Sequence, residues 1–365
     1  MRIDSVRVTP FVIPLVRPVV WATGSMTVVD WLLVEVVGED GTTGIAEAIP
    51  RPMIYGETQR SIHTALTEYL VPLVVGEDSF ALERIHRRMA ALAGNFAAKS
   101  ALDIALHDLN GKLTGLPIHA LLGGPVRTEV DCAWMIALDD RDSMLAELEQ
   151  KIGEGFRAFK VKGGLDPEGD IALLTAMRER SGSDVRLYLD ANCRYDRDAA
   201  HRVMHALRDV LDQIEEPIDA GDDEGRVELA RAVPTVPLLG DETVFTVADV
   251  ARQIRLGGLR RISLKMPRTG YTLSRRIVHL SEAAGLRLQV STQSETTLGT
   301  AGCLHLAASF HAVDLPCELT FYRDVADGLL TAEPTVRAGR MAVPTGPGLG
   351  VQLDPDKVAK YAVPL

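Results

Sequence analysis

The stretch Ala-Phe-Lys-Val-Lys-Gly-Gly (158–164) reads as a strand running into a turn. Side chains alternate along a strand, so Lys160 and Lys162 share one face, where two ammonium groups repel each other. Further charged residues stand at the ends of later apolar runs: Asp190 in VRLYLDAN, Glu215 in LDQIEEP, Asp241 in VPLLGDE and Lys265 in RISLKM. Successive members are 24 to 28 residues apart. That is about one strand-plus-helix unit, and in a parallel barrel all strand C-termini lie on one rim, where barrel enzymes keep their chemistry. Taken singly, a Lys-x-Lys pair reads as an edge-strand solubility device and a strand-end acid as a helix cap. Three carboxylates and three lysines in series point instead to one site.

Three carboxylates facing one another need a counter-ion. A donor set of oxygens without His or Cys suits a hard cation, Mg²⁺ or Mn²⁺, so Asp190, Glu215 and Asp241 are the candidate ligands. Beside such an ion and each other, the lysines are expected to drop toward a neutral pKa, letting one act as acid or base. Lys160 and Lys162 on the second strand would face Lys265 on the sixth across a bound substrate. Such a site suits proton transfer next to a carboxylate.

The elements that must carry these residues are legible in the rhythm of the chain. The first 50 residues alternate like strands, and 30–48 reads as a hairpin turning at Asp40-Gly41. Helical patterns follow at about 57–74, 79–93 and 96–114, the last with Gly115 at a C-cap position. From about residue 125, short apolar runs alternate with helical segments: 130–138, 157–162, 185–190, 211–215, 236–240, 260–265, 286–291 and 314–319. The pattern fits a (β/α) barrel, with an open doubly wound sheet as the competing architecture.

The chain has 365 residues, 46% of them hydrophobic and 24% charged, with a net charge of −11. That acidity argues against a nucleic-acid partner. Cys132, Cys193, Cys303 and Cys317 are scattered without a Cys-x-x-Cys pair, which fits reduced thiols. No signal-peptide pattern opens the chain and no membrane-spanning run occurs, so a cytoplasmic protein that stays off membranes is expected.

On these residues the sequence resembles the enolase superfamily, muconate lactonizing enzyme subgroup, over nearly its full length. The resemblance implies an α/β fold: a (β/α)7β modified TIM barrel with an α+β capping domain. It divides the chain into a cap (1–124), a barrel (125–320) and a C-terminal segment (321–365) returning to the cap. It matches the subgroup's Lys-x-Lys to Lys160 and Lys162, its metal ligands to Asp190, Glu215 and Asp241, and its opposite lysine to Lys265. The stretches PRPMIYGET, GNFAAKSALDIALHDLNGKLTGLPIHALLGG, CELTFYRDVADGLLT and PTGPGLGVQLDPDKVAKY resemble the muconate cycloisomerase branch. Glu318 matches that branch's strand-end glutamate, whereas dipeptide epimerases carry an Asp-x-Asp where this chain has Pro316-Cys317-Glu318.

The implied activity is closure of cis,cis-muconate to muconolactone through a metal-stabilised enolate. Lys162 would be the proton donor, Lys160 would tune it and Lys265 would be the electrostatic partner, with roles exchangeable by stereochemistry. The alternatives are an N-acyl amino acid racemase, a dipeptide epimerase or an o-succinylbenzoate synthase on the same six residues, or a barrel that only binds a metal–carboxylate ligand. The partner is a small-molecule carboxylate, and the resemblance implies a homo-oligomer, often an octamer. Arg51 and Tyr55 in the capping loop, with Gln293 and Glu295 after the seventh strand, are candidates to touch substrate. Asn192 and Glu216 would support the ligands. Trp21 and Trp134 read as packing residues, and Tyr271, replacing a usual glycine, as a pocket wall.

Overall fold

The computed structural model describes residues 1–365. An antiparallel sheet opens the chain, built from β1 (Ile3–Trp21), β2 (Gly24–Gly38) and β3 (Thr43–Ala48) in that order. The β2–β3 connection turns at Asp40-Gly41, where Gly41 adopts φ +84° as a left-handed turn position requires. Against this sheet lies α1 (Phe96–Thr114), rich in alanine and buried along most of its length. The approach is close enough to need glycine: a Cβ on Gly44 of β3 would come within 2.0 Å of the Ala105 carbonyl oxygen. Glu57 caps the start of α1, accepting from Phe96 N (2.5 Å) and Ala97 N (3.0 Å). Gly115, at φ +71°, ends it.

After a short strand, β4 (Glu129–Asp131), seven parallel strands follow: β5 (Trp134–Ile136), β6 (Ala158–Lys162), β7 (Arg186–Asp190), β8 (Gln213–Glu215), β9 (Leu238–Gly240), β10 (Arg261–Leu264) and β11 (Arg287–Val290). Each pairs with its sequence neighbour, which excludes the open doubly wound order with its central reversal. Helices link most of them, among them α2 (Met266–Ala283), and a further helix, α3 (Thr297–Ser309), follows β11.

The eighth expected strand, 314–319, forms no regular ladder. It closes the barrel through single bridges: Leu315 N donates to Leu288 O (3.3 Å) and Glu318 N to Val290 O (2.9 Å) on one side. On the other, Cys317 N donates to Asp131 O and Ala133 N to Cys317 O, both at 2.8 Å. Pro316 brings no N–H to this segment, which is one reason the ladder is interrupted. The first expected strand, 130–138, divides in two. β4 leaves the barrel and pairs with β13 (Arg340–Ala342), which pairs in turn with β12 (Val336–Arg337). Other parts of the tail reach the first sheet, through bridges from Val325 to Leu15 and from Ala362 to Phe11. No helix is long and apolar enough to cross a membrane.

Candidate active site

Register places the charged residues together. Lys162 at the end of β6 lies beside Asp190 at the end of β7, and Asp190 beside Glu215 at the end of β8. Asp241 follows β9 and Lys265 follows β10. Lys160 is 2% exposed and sits among three acids. Its Nζ donates to Glu215 Oε1 (2.9 Å) and lies 3.0 Å from Asp190 Oδ2 and 3.2 Å from Glu318 Oε2. Lys162 Nζ donates to Asp190 Oδ2 (2.6 Å) and to Asn192 Oδ1 (3.2 Å). Lys265 pairs with Asp241 Oδ2.

Among the protein's own charges, the neighbouring acids favour the ammonium form of two of the three lysines. Burial disfavours the Lys160 ammonium, but Asp190, Glu215 and Glu318 outweigh it and hold the group well above its ordinary range. Lys265 is raised in the same way, burial being overcome chiefly by Asp241. The carboxylates divide. Burial opposes ionisation of Asp190, yet Lys160 and Lys162 hold it below the usual range, whereas burial and neighbouring Asp190 push Glu215 well above it. Glu215 is therefore short of positive charge. Its Oε2 is buried and, although Lys160 Nζ is 2.8 Å away, accepts no aligned hydrogen bond. Glu215, short of positive charge between Asp190 and Asp241 on adjoining strand ends, completes an all-oxygen trio whose donors suit a hard divalent cation.

Asn192 and Glu216 both contact the candidate ligands or the loops that carry them. Asn192 N donates to Asp190 Oδ1 (2.9 Å), fixing that carboxylate while the Asn192 amide meets Lys162. Glu216 Oε1 accepts from Asp241 N (2.6 Å), Thr243 N (2.9 Å) and Thr243 Oγ1 (2.7 Å), so it shapes the loop that carries Asp241. Glu318 accepts from Tyr188 Oη (2.7 Å) and Gln289 Nε2 (2.8 Å) besides meeting Lys160.

Above this floor opens a cleft of about 660 Å³, counting the part exposed to solvent. The three lysines, Asp241, Glu318, Arg51 and Gln293 all border it. Several expectations are corrected here. Tyr55 does not border the cleft; its hydroxyl donates to Ile49 O (2.8 Å) and its ring packs edge-on against Phe96 and Phe245. Glu295 does not border it either, and braces its own loop by accepting from Gln293 N (2.7 Å) and Thr292 Oγ1 (2.5 Å). Tyr271 is fully buried, its hydroxyl donating to Gly302 O (2.9 Å), and forms no pocket wall. Trp21 is a cleft residue, its ring facing Arg51 at 5.6 Å, while Trp134 is a packing residue against Phe156.

Sequence reasoning missed two residues. Arg268 Nη1 lies 3.3 Å from Asp241 Oδ1, with the guanidinium 4.1 Å above the Phe245 ring. Its signal was its place one helical turn after Lys265. Glu242 borders the cleft beside Asp241, its carboxyl pushed up to about 8 by burial, Asp241 and Glu216. Glu242, Glu216 and Cys193 bring ligand-type atoms within 4.8 Å of one another, and burial pushes all three toward their neutral forms.

Known proteins resemble the chain along its length. Residues 3–123 match the family model for the mandelate racemase / muconate lactonizing enzyme N-terminal domain, and residues 143–357 the enolase C-terminal domain-like model. Muconate cycloisomerase 1 of Rhodococcus opacus is 33% identical, over 99% of this chain and 98% of its own. The L-Ala-D/L-Glu epimerase of Bacillus subtilis is 28% identical, over 96% and 97%. A crystal structure of muconate lactonizing enzyme from Mucobacterium Smegmatis complexed with muconolactone superposes with a TM-score of 0.96 at 35% identity, covering all of both chains.

Proposed function

The chain belongs to the mandelate racemase / muconate lactonizing enzyme family of the enolase superfamily, a family of divalent-metal enzymes, and on that premise we propose that this isomerase converts cis,cis-muconate to muconolactone. Lysines from the ends of β6 and β10 border one cleft together with Asp241, while Asp190 and Glu215 stand at the strand ends between them, and this arrangement carries the proposal. Asp190, Glu215 and Asp241 would hold the cation, Mg²⁺ or Mn²⁺, which supplies positive charge opposite the substrate carboxylate that gains electron density.

In the reaction one carboxylate oxygen bonds to the far double bond. The π electrons shift toward the other carboxylate, and the carbon next to it takes a proton. Lys162 is assigned as the donor of that proton. Its ammonium borders the cleft and is oriented by Asp190 and Asn192. Lys160, engaged by three acids, keeps positive charge beneath it, and Lys265 presents a second ammonium from the end of β10.

Glu318 supports this reading over dipeptide epimerisation. Its carboxylate is occupied by Lys160, Tyr188 and Gln289, and residue 316 is proline, leaving no acid pair for a substrate ammonium. The cap, barrel and tail boundaries at 124 and 320 and a homo-oligomer belong to the same proposal and rest on the resemblance; a cytoplasmic location belongs to it on the four scattered, free cysteines. Purified enzyme with Mn²⁺ should consume cis,cis-muconate, followed by its ultraviolet absorbance. Inertness toward muconate together with α-proton exchange on N-acyl amino acids in D₂O would establish the racemase alternative instead; lysines from both strand ends are what such an exchange needs.

A further inference from the structure

A chain of polar side chains runs through the barrel from the lysine rim to the far mouth. Glu318, whose Oε2 lies 3.2 Å from Lys160 Nζ, accepts at Oε1 from Gln289 Nε2 (2.8 Å). Gln289 Oε1 accepts from Gln213 Nε2 (2.9 Å), and Gln213 Oε1 accepts from Arg261 Nη1 (2.7 Å). Both glutamines and Glu318 are buried. Arg261 opens β10, the strand whose other end leads to Lys265, so it stands at the mouth opposite the lysines. There it borders a hollow of about 240 Å³, counting the part open to solvent.

The surroundings of Arg261 disfavour it. No carboxylate lies within ion-pair distance, and the two acids whose charge reaches it are paired elsewhere, Asp212 with Arg178 (3.7 Å) and Asp314 with Arg287 (3.0 Å). Burial, then Arg287 and Arg186, lower its guanidinium to about 10. A partly buried cation without a counter-charge is destabilising, although residues at this end of a barrel ordinarily serve stability.

What the arginine supplies is direction. A guanidinium donates and never accepts, so Gln213 turns its Oε1 toward Arg261 and its NH₂ toward Gln289. Gln289 then offers Oε1 to Gln213 and NH₂ to Glu318. From this chain we infer that Arg261, Gln213 and Gln289 are positioning residues for the isomerisation: the donor at the far mouth orients both amides, so that an NH₂ and not a carbonyl faces the carboxylate that holds Lys160. An acceptor at position 261 would reverse both amides and set Gln289 Oε1 against Glu318. Tyr188 and Ser291 would still donate to Glu318 Oε1 (2.7 and 3.3 Å), but two facing acceptors in a buried site repel. The inference rests on the catalytic reading above, in which Lys160 keeps positive charge beneath Lys162.

The test compares Arg261→Lys, Arg261→Met and Arg261→Glu as Mn²⁺-loaded enzymes acting on muconate. Lysine also only donates, so Arg261→Lys should stay near the wild-type kcat. Arg261→Met should be several-fold slower, and Arg261→Glu slower by about tenfold or more, a change within what neighbours in one network couple. KM should move much less than kcat, because none of the three residues borders the cleft. Arg261→Met should melt no lower than wild type, since it removes an uncompensated cation; a residue serving stability alone would slow turnover only by unfolding the protein. Wild-type kcat in Arg261→Glu, or Arg261→Lys no faster than Arg261→Met, overturns the inference. A second measurement needs no substrate. Arg261→Glu should lower the melting temperature by several degrees in the wild-type background and by much less in Glu318→Gln, whose amide can meet either orientation of Gln289. Equal shifts in the two backgrounds overturn the chain. If muconate is not turned over, the catalytic reading fails, while this melting cycle still decides whether the two mouths are coupled.

Discussion

Glu215 carries the clearest consequence of the charge balance. It is fully buried, and burial together with Asp190 disfavours its ionised form more than Lys160 compensates. A divalent cation removes that penalty, so Mn²⁺ should stabilise the fold by about 2.7 kcal/mol at a hundred times its dissociation constant. Glu215→Gln should abolish the Mn²⁺-induced rise in melting temperature while leaving the metal-free protein at least as stable as wild type. Thermal melts with and without Mn²⁺ read both outcomes, and a variant that still gains stability from Mn²⁺ would remove Glu215 from the ligand set. The ionic residues were the legible part of this site because each stands at an apolar strand end, where a charge is conspicuous. Arg268 was not, since its contact with Asp241 depends on how two successive loops fold over the same rim. The lysine pKa expectation weighed a bound cation and the paired ammoniums but not Glu318, which only strand closure brings to Lys160.

Between elements, the β11–α3 loop is where cap and barrel join. Glu47 at the end of β3 accepts from Thr296 N (2.9 Å) and from Thr296 Oγ1, and Trp31 of β2 holds Ser294 O. Burial pushes the Glu47 carboxyl up to about 8. A carboxyl raised in the fold keeps a proton that the unfolded chain has already released, so its contribution is full below about pH 4.5 and is lost as pH rises through 8. Glu47→Gln should therefore flatten the alkaline side of the stability profile. Urea titrations of the two proteins at pH 6 and pH 9 measure this, and parallel losses in both would exclude Glu47 as the cause. Strand and helix order was readable from periodicity, and the 96–114 helix with its Gly115 cap emerges at the expected bounds. The broken eighth strand and the divided first one were not, because pairing of β4 with β13 is a contact between residues some 200 positions apart, which no local pattern encodes.

Across the whole molecule, the C-terminal tail is fastened by a neutral histidine pair. His305 on α3 donates from Nε2 to Leu349 O (3.1 Å), and its Nδ1 faces His119 Nδ1 at 3.0 Å, which leaves one of the two nitrogens to accept. Asp108 of α1 accepts from Leu349 N (2.7 Å), so cap helix, barrel helix and tail meet at one point. Burial lowers His305 to about 4. With the folded value below the unfolded 6.5, stability is fully present above pH 6.5 and is lost as pH falls toward 4, by about 3 kcal/mol in all. The wild type should lose urea resistance between pH 7 and pH 4.5, with His305→Gln losing less over the same range. An equal loss in both would place the acid sensitivity elsewhere.

Proton delivery from the barrel rim is tested most directly by the reaction in D₂O with Mg²⁺, followed by NMR. Wild-type enzyme should give muconolactone carrying one deuterium on the carbon beside the free carboxylate, at a single stereochemical position. Lys162→Ala should form that product at least a hundredfold more slowly, a reduction within the range general acid catalysis supplies. Labelled lactone appearing from Lys162→Ala at the wild-type rate would contradict the assignment of the proton to this rim.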